Sequence, residues 1–149
     1  MRTYDEQLYR VAAETMESLA LMFLVPEEDA TVFGIMPDRV ARVDFAGPFD
    51  GSLTITFSDE LMIELAGNML GAIDVSEVSA EQQDDALKEL LNVICGNLLP
   101  QVAGNEAVFK VCSPRILTNA GEDSEHEEVG DARLFLENGL VEVTFAVAD

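Results

Sequence analysis

Glu89 and Asn92 stand three residues apart in "DALKELLNVICGNLLPQV", residues 85–102. A carboxylate can grip a cation on a partner, and a carboxamide can both accept and donate a hydrogen bond, so it can hold a water. Asn is a poor choice inside a helix, because its side chain competes for backbone hydrogen bonds. Its presence in a run with helical apolar spacing therefore needs a reason. With each residue turning the side chain by about 100° and Asp85 set at zero, Glu89 falls near 40°, Asn92 near 340° and Gly96 near 20°. Leu87, Leu91, Ile94 and Leu98 fall between about 180° and 240° on the same wheel. The core stripe is predicted on one side and a polar row on the other. The spacing by itself is also that of an ordinary solvated helix face.

The helix that must carry this row is predicted to start at Ser79, an N-cap whose capping box closes with Gln82. Glu81, Asp84 and Asp85 lie near the positive end of its dipole. It reaches about Val102 or Ala103, with a kink or late break expected at Pro100. An earlier helix is expected over 4–24, with Leu8, Val11, Ala12, Thr15, Leu19, Met22 and Phe23 at helical spacing and Pro26 as its stop. "VPEEDATVFGIMPDR" reads as an irregular connection. "ARVDFAG" and "SLTITFS" alternate and form a hairpin around "GPFDG". Ser58 or Asp59 is expected to cap a short helix, "DELMIELAGNMLG", ending at Gly71. "AVFKVCSPRIL" reads as one strand with Pro114 near its end. "DARLFLENGLVEVTFAVA" is a hairpin, with Asn138-Gly139 as a type I′ turn signal. Helices with a run of strands after them indicate α+β: long helices packed on a largely antiparallel β-sheet.

Composition narrows the function. The 149 residues fit one domain, 1–149, and 48% hydrophobic content supports a core. Twenty-nine acidic residues against eight basic ones, a formal charge of -21, argue against nucleic acid and anionic lipid as partners. The charge favours a partner with a basic patch, or serves solubility. No apolar run is long enough for a membrane span and no basic-then-apolar leader opens the chain, so the cytoplasm is the expected compartment. Cys95 and Cys112 are read as buried small apolar residues. With one histidine, His126, read as a solvated loop residue within "NAGEDSEHEEVG", and no CxxC, no metal site is expected.

The full pattern is more specific than its parts. Asp85, Glu89 and Asn92, followed after twenty-one residues by Pro114, resemble the signature of the CheC/CheX/FliY family of chemotaxis phosphatases. "FDGSLTITFS", "DELMIELAGNMLG" and "NVICGNLLPQV" are similar to that family in order and character, and "VAAETMESLALMF" resembles the first helix of CheX-like domains. The resemblance spans roughly 4–147. It implies a CheC/CheX-like fold and, as substrate, the phospho-aspartate of a CheY-like response-regulator receiver. It implies that Glu89 pairs with the receiver's active-site lysine, that Asn92 orients the attacking water, and that Asp85 supports or contacts the partner. Gly96 and Pro114 are implied as structural parts of the motif. No cofactor is implied on this chain; Mg²⁺ is expected on the receiver. Members with two active sites repeat the motif on the first helix. Here "AAETMESLA" offers Glu14 and Glu17 with no following Asn, which points to the single-site CheX-like branch and hence to a homodimer. The alternative is a non-catalytic receiver-binding adaptor or scaffold that has kept the contacts and lost turnover.

Overall fold

In the computed structural model, the residues described are 2–30, 38–71, 78–118 and 126–148. Helix α1 (Asp5–Ser18) is followed by a 3-10 turn (Glu27–Asp29), strands β1 (Arg39–Ala46) and β2 (Gly51–Phe57), a second 3-10 turn (Asp59–Leu61) and helix α2 (Met62–Leu70). Then come α3 (Ala80–Ala103), two short strands β3 (Lys110–Val111) and β4 (Arg115–Ile116), and β5 (Glu127–Leu136) with β6 (Gly139–Val147). The sheet runs β3-β1-β2-β6-β5, with β4 also on β1, and all its pairings are antiparallel.

Register decides the two faces. Ala41, Ile55, Val143 and Ala132 lie across from one another, as do Phe57, Val141 and Leu134. These residues are buried, and the helices cover them. The intervening rungs place Arg42, Thr54, Thr144 and Asp131 together, then Thr56, Glu142 and Arg133. One face is apolar and the other polar, as strand alternation requires. On the apolar face α1 packs against β5 and β6, while α3 packs against β1, β2 and β4; α1 and α2 both touch α3. Among the described residues, nearly all the buried apolar side chains form one cluster.

Local differences from the sequence reading have physical causes. The first helix ends at Ser18. Leu21 takes a left-handed φ of 53°, Phe23 turns outward at 65% exposure, and the Asn68 amide caps the freed Ala20 carbonyl at 2.9 Å. Val25 N–H then bonds Phe135 O on the edge of β5. Ser58 does not cap with its side chain: its hydroxyl donates to Leu140 O and accepts from Leu140 N–H, both at 2.9 Å. The predicted strand through Pro114 is two fragments. The register on β1 slips by one residue between them, since Pro cannot donate to the ladder. Cys112 lies in that break and is exposed, which corrects its burial; Cys95 is buried. The hairpin loop is Glu137-Asn138, between paired Leu136 and Gly139, and neither Asn138 nor Gly139 has a positive φ, so the turn is not type I′. Gly139 is needed for clearance instead: a Cβ there would meet Leu61 Cδ1 at 2.7 Å. His126 is half-buried and shares a 3.1 Å hydrogen bond with Ser52 Oγ, and β5 begins at Glu127, inside the stretch read as loop. The expected loop residues 119–125 lie outside the described residues.

Candidate functional site

α3 is anchored at its first turn. Ser79 Oγ accepts from Gln82 N–H at 3.1 Å, and Gln82 Oε1 accepts from Ser79 N–H at 2.9 Å, which completes the capping box. Arg39, at the start of β1, donates to Asp84 Oδ1 at 3.0 Å and Gln83 Oε1 at 3.3 Å, and on its other arm to Asp59 Oδ1 at 2.8 Å. One guanidinium thus joins the sheet, the turn before α2 and the start of α3. This planar fork suits such bridging. Further along, Arg10 on α1 donates to Gln101 on α3 at 3.2 Å. The sequence reading missed Arg39. The available signal was a lone cation at a strand start beside acidic helix starts, which has meaning only once the fold brings them together.

The core side of α3 is wider than the wheel anticipated. Ala86, Leu90, Cys95 and Leu99 are buried along with Leu87, Leu91, Ile94 and Leu98, because α1 and α2 flank the helix while the sheet lies beneath it. Burial pushes the Cys95 thiol up to about 12. The helix runs through Pro100 to Ala103 without the break expected there, and Gly104 N–H caps Pro100 O at 2.8 Å. Pro100 and Gly96 are both exposed, so water can serve the Gly96 carbonyl that Pro100 cannot reach with a donor.

What remains uncovered is a narrow strip. Asp85, Glu89, Asn92 and Gly96 are all exposed, one after another along the helix. Among the described residues neither Glu89 nor Asn92 has a hydrogen-bond or ion-pair partner, whereas Asp85 Oδ1 lies 3.4 Å from Lys88 Nζ. A Cβ built on Gly96 meets nothing within 4 Å. Side chains at this spacing lie about 5–6 Å apart at Cβ, so a group docked on the strip can touch the carboxylate and the carboxamide together. Pro114 stands apart, half-buried in the break between β3 and β4, on the strands that α3 and β1 border. Glu14 and Glu17 are exposed on α1, and a polar groove lined by Glu14, Thr15, Ser18, Asn97 and Gln101 separates α1 from the end of α3. Among the described residues no group of three or more His, Cys, Asp or Glu side chains could hold a metal ion, and no helix is long and apolar enough to cross a membrane.

Solved structures share this fold. A CheX from Borrelia burgdorferi, in complex with CheY, beryllofluoride and Mg²⁺, superposes with a TM-score of 0.75 at 19% identity, covering 100% of both chains. CheX from Vibrio vulnificus gives 0.72 at 17% identity, covering 97% of this chain and 96% of the other. CheX from Desulfovibrio desulfuricans gives 0.70 at 18% identity, covering 95% and 97%. No curated protein sequence matches the chain. The sequence profile of the chemotaxis phosphatase CheX matches residues 39–135, from the first residue of β1 to within β5, with the whole of α3 inside it. The chain belongs to the CheX family of chemotaxis phosphatases.

Proposed function

We propose that this protein hydrolyses the phospho-aspartate of a CheY-like response-regulator receiver. The observation that carries the reading is the pairing of Glu89 and Asn92, exposed and unpartnered among the described residues on one strip of a braced helix. Glu89 pairs with the receiver's active-site lysine and sets the register of docking. Asn92 accepts a hydrogen bond from the attacking water through its carbonyl and directs a donor toward a phosphoryl oxygen. The water oxygen forms the new bond to phosphorus. The bond from phosphorus to the aspartyl oxygen breaks, its electron pair leaves with the carboxylate, and the water proton passes to solvent or to the released phosphate. An acyl phosphate is already reactive, so orientation in line supplies much of the acceleration. A carboxamide does this with no titrating group.

Asp85 contacts the partner or supports those that do. Gly96 and Pro114 shape the motif. Mg²⁺ belongs to the receiver, where it offsets phosphoryl charge, and this chain binds no cofactor. The protein acts in the cytoplasm as a homodimer, whose mass light scattering on the purified protein checks. The decisive experiment mixes the protein with a phosphorylated CheY-like receiver and Mg²⁺ and follows phosphate release. Asn92→Ala is expected to remove the acceleration, at least a hundredfold by the ~10²–10³ effect of deleting one oriented polar group, while receiver binding persists. Full activity in that variant refutes the role of Asn92. Binding by the wild type with no acceleration at all would make the chain an adaptor.

A further inference from the structure

The strip is flanked by one cation. Lys88 is the only basic residue of α3. It lies three residues after Asp85 and four before Asn92, at about 300° on the wheel that puts Asn92 near 340°. Its Nζ is 3.4 Å from Asp85 Oδ1, with its side chain 35% exposed and that of Asp85 64%. Helical side chains lean toward the N-terminus, so the Lys88 stem lies over the turn of Asp85, and the Asn92 carboxamide leans back over the turn of Lys88 and Glu89. The Lys88 ammonium at Asp85 therefore lies about one turn N-terminal to the Asn92 carboxamide, a gap that its flexible four-carbon stem can close by swinging away from Asp85. The arginines of the chain pair with groups outside this strip.

Charge makes that placement consequential. With 29 acidic and 8 basic residues, the chain repels an incoming phosphoryl dianion, and Asp85 and Glu89 add to the repulsion at the strip itself. We propose that Lys88 is a further catalytic residue of the reaction assigned above, on which this inference rests: on docking, its ammonium leaves Asp85 and binds a non-bridging phosphoryl oxygen beside the water held by Asn92. An exposed pair such as Lys88–Asp85 contributes little to stability, so releasing it costs little. A desolvated phosphoryl oxygen is the stronger partner for an ammonium. Lys88 forms and breaks no covalent bond; its ammonium offsets charge on the phosphoryl oxygens while the bond from water forms and the bond to aspartate breaks. The competing role is that of a plain surface ion pair three residues apart on a helix.

The test titrates wild type, Lys88→Gln and Lys88→Arg into a CheY-like receiver holding Mg²⁺ alone, or Mg²⁺ with beryllofluoride as the phosphoryl mimic. The same proteins are then assayed in single turnover on the acetyl-phosphate-charged receiver. Lys88→Gln is expected to weaken binding to the beryllofluoride form and to slow hydrolysis by about tenfold or more, the effect of one charge-assisted hydrogen bond, with binding to the Mg²⁺-only form unchanged and Lys88→Arg close to wild type. Equal loss on both receiver forms, or no loss on either, overturns the proposal. An unchanged melting temperature shows that Lys88→Gln is folded. Asn92→Ala, run beside it, separates the two readings. If the wild type gives no acceleration, the assigned function has failed; if Asn92→Ala still hydrolyses normally, the role of Asn92 has failed; if Asn92→Ala is inactive while Lys88→Gln is fully active, only the role of Lys88 has failed.

Discussion

At the residue scale, Gly96 poses a clean opposition between stability and function. It lies inside a helix, where Gly is less favourable than Ala by about 0.8–1.0 kcal/mol. The chain itself does not require it, since an added Cβ meets open space. Its place on the strip of Asp85, Glu89 and Asn92 points to clearance for the backbone of a docked partner. Gly96→Ala is therefore expected to raise stability by about 1 kcal/mol in urea denaturation and to weaken receiver binding in a titration. A destabilised variant would show instead that Gly96 serves the ring of Pro100, whose clash falls on the carbonyl four residues back. The oddity of Asn92 was legible in the sequence, because residue type and helical spacing are local properties. The exposure of Cys112 and the hydrogen bond of His126 to Ser52 were not, since each depends on a strand edge or a neighbour distant in the chain.

At the element scale, the strip is only as rigid as the start of α3. The capping box was readable from Ser79 and Gln82, which are near neighbours. The Arg39 bridge was not, because Arg39, Asp59 and Asp84 come from three separate segments. Arg39 is 23% exposed, and Asp59 and Asp84 are 26% and 36% exposed, so solvent screens the pairs in part. Arg39→Ala is expected to lower stability by about 1–2 kcal/mol, read as a lower urea midpoint with an unchanged slope. It leaves two carboxylates without their shared cation. The broken strand around Pro114 and the shift of the β5–β6 loop to Glu137-Asn138 follow the same logic: local signals marked that a turn or strand was present, and packing chose the residues.

At the scale of the whole molecule, the acidic chain responds to pH with opposite signs at two places. The Asp5 carboxylate accepts from Asp131 N–H at 2.8 Å and from Arg2 N–H at 2.6 Å, and the Asp131 bond is the main cause that holds its pKa below the ordinary 3.8. The folded state therefore favours ionised Asp5. That stabilisation is present above 3.8 and is lost as the pH falls through the lower folded value. Asp38 is shifted the other way, first by burial and then by Glu60 and Asp59, so its charge weighs against folding once the pH rises through its raised folded value. Thermal melts should show Asp5→Ala destabilised and Asp38→Asn stabilised at pH 7, with both differences fading in acid: the first below the depressed value of Asp5, the second below 3.8. The same sign for both variants at pH 7 would contradict these assignments.

Sequence alone determined the helix and strand periods, the capping box, the hairpins and the outward row of Asp85, Glu89 and Asn92, because each is set by spacing along a single element. It also carried the long motif by which the family could be recognised. Tertiary structure decided where α1 stops, how far burial wraps around α3 and which cation braces its start. Those outcomes depend on side chains far apart in the chain competing for the same space and the same hydrogen bonds, and that competition is settled only when the helices close over the sheet.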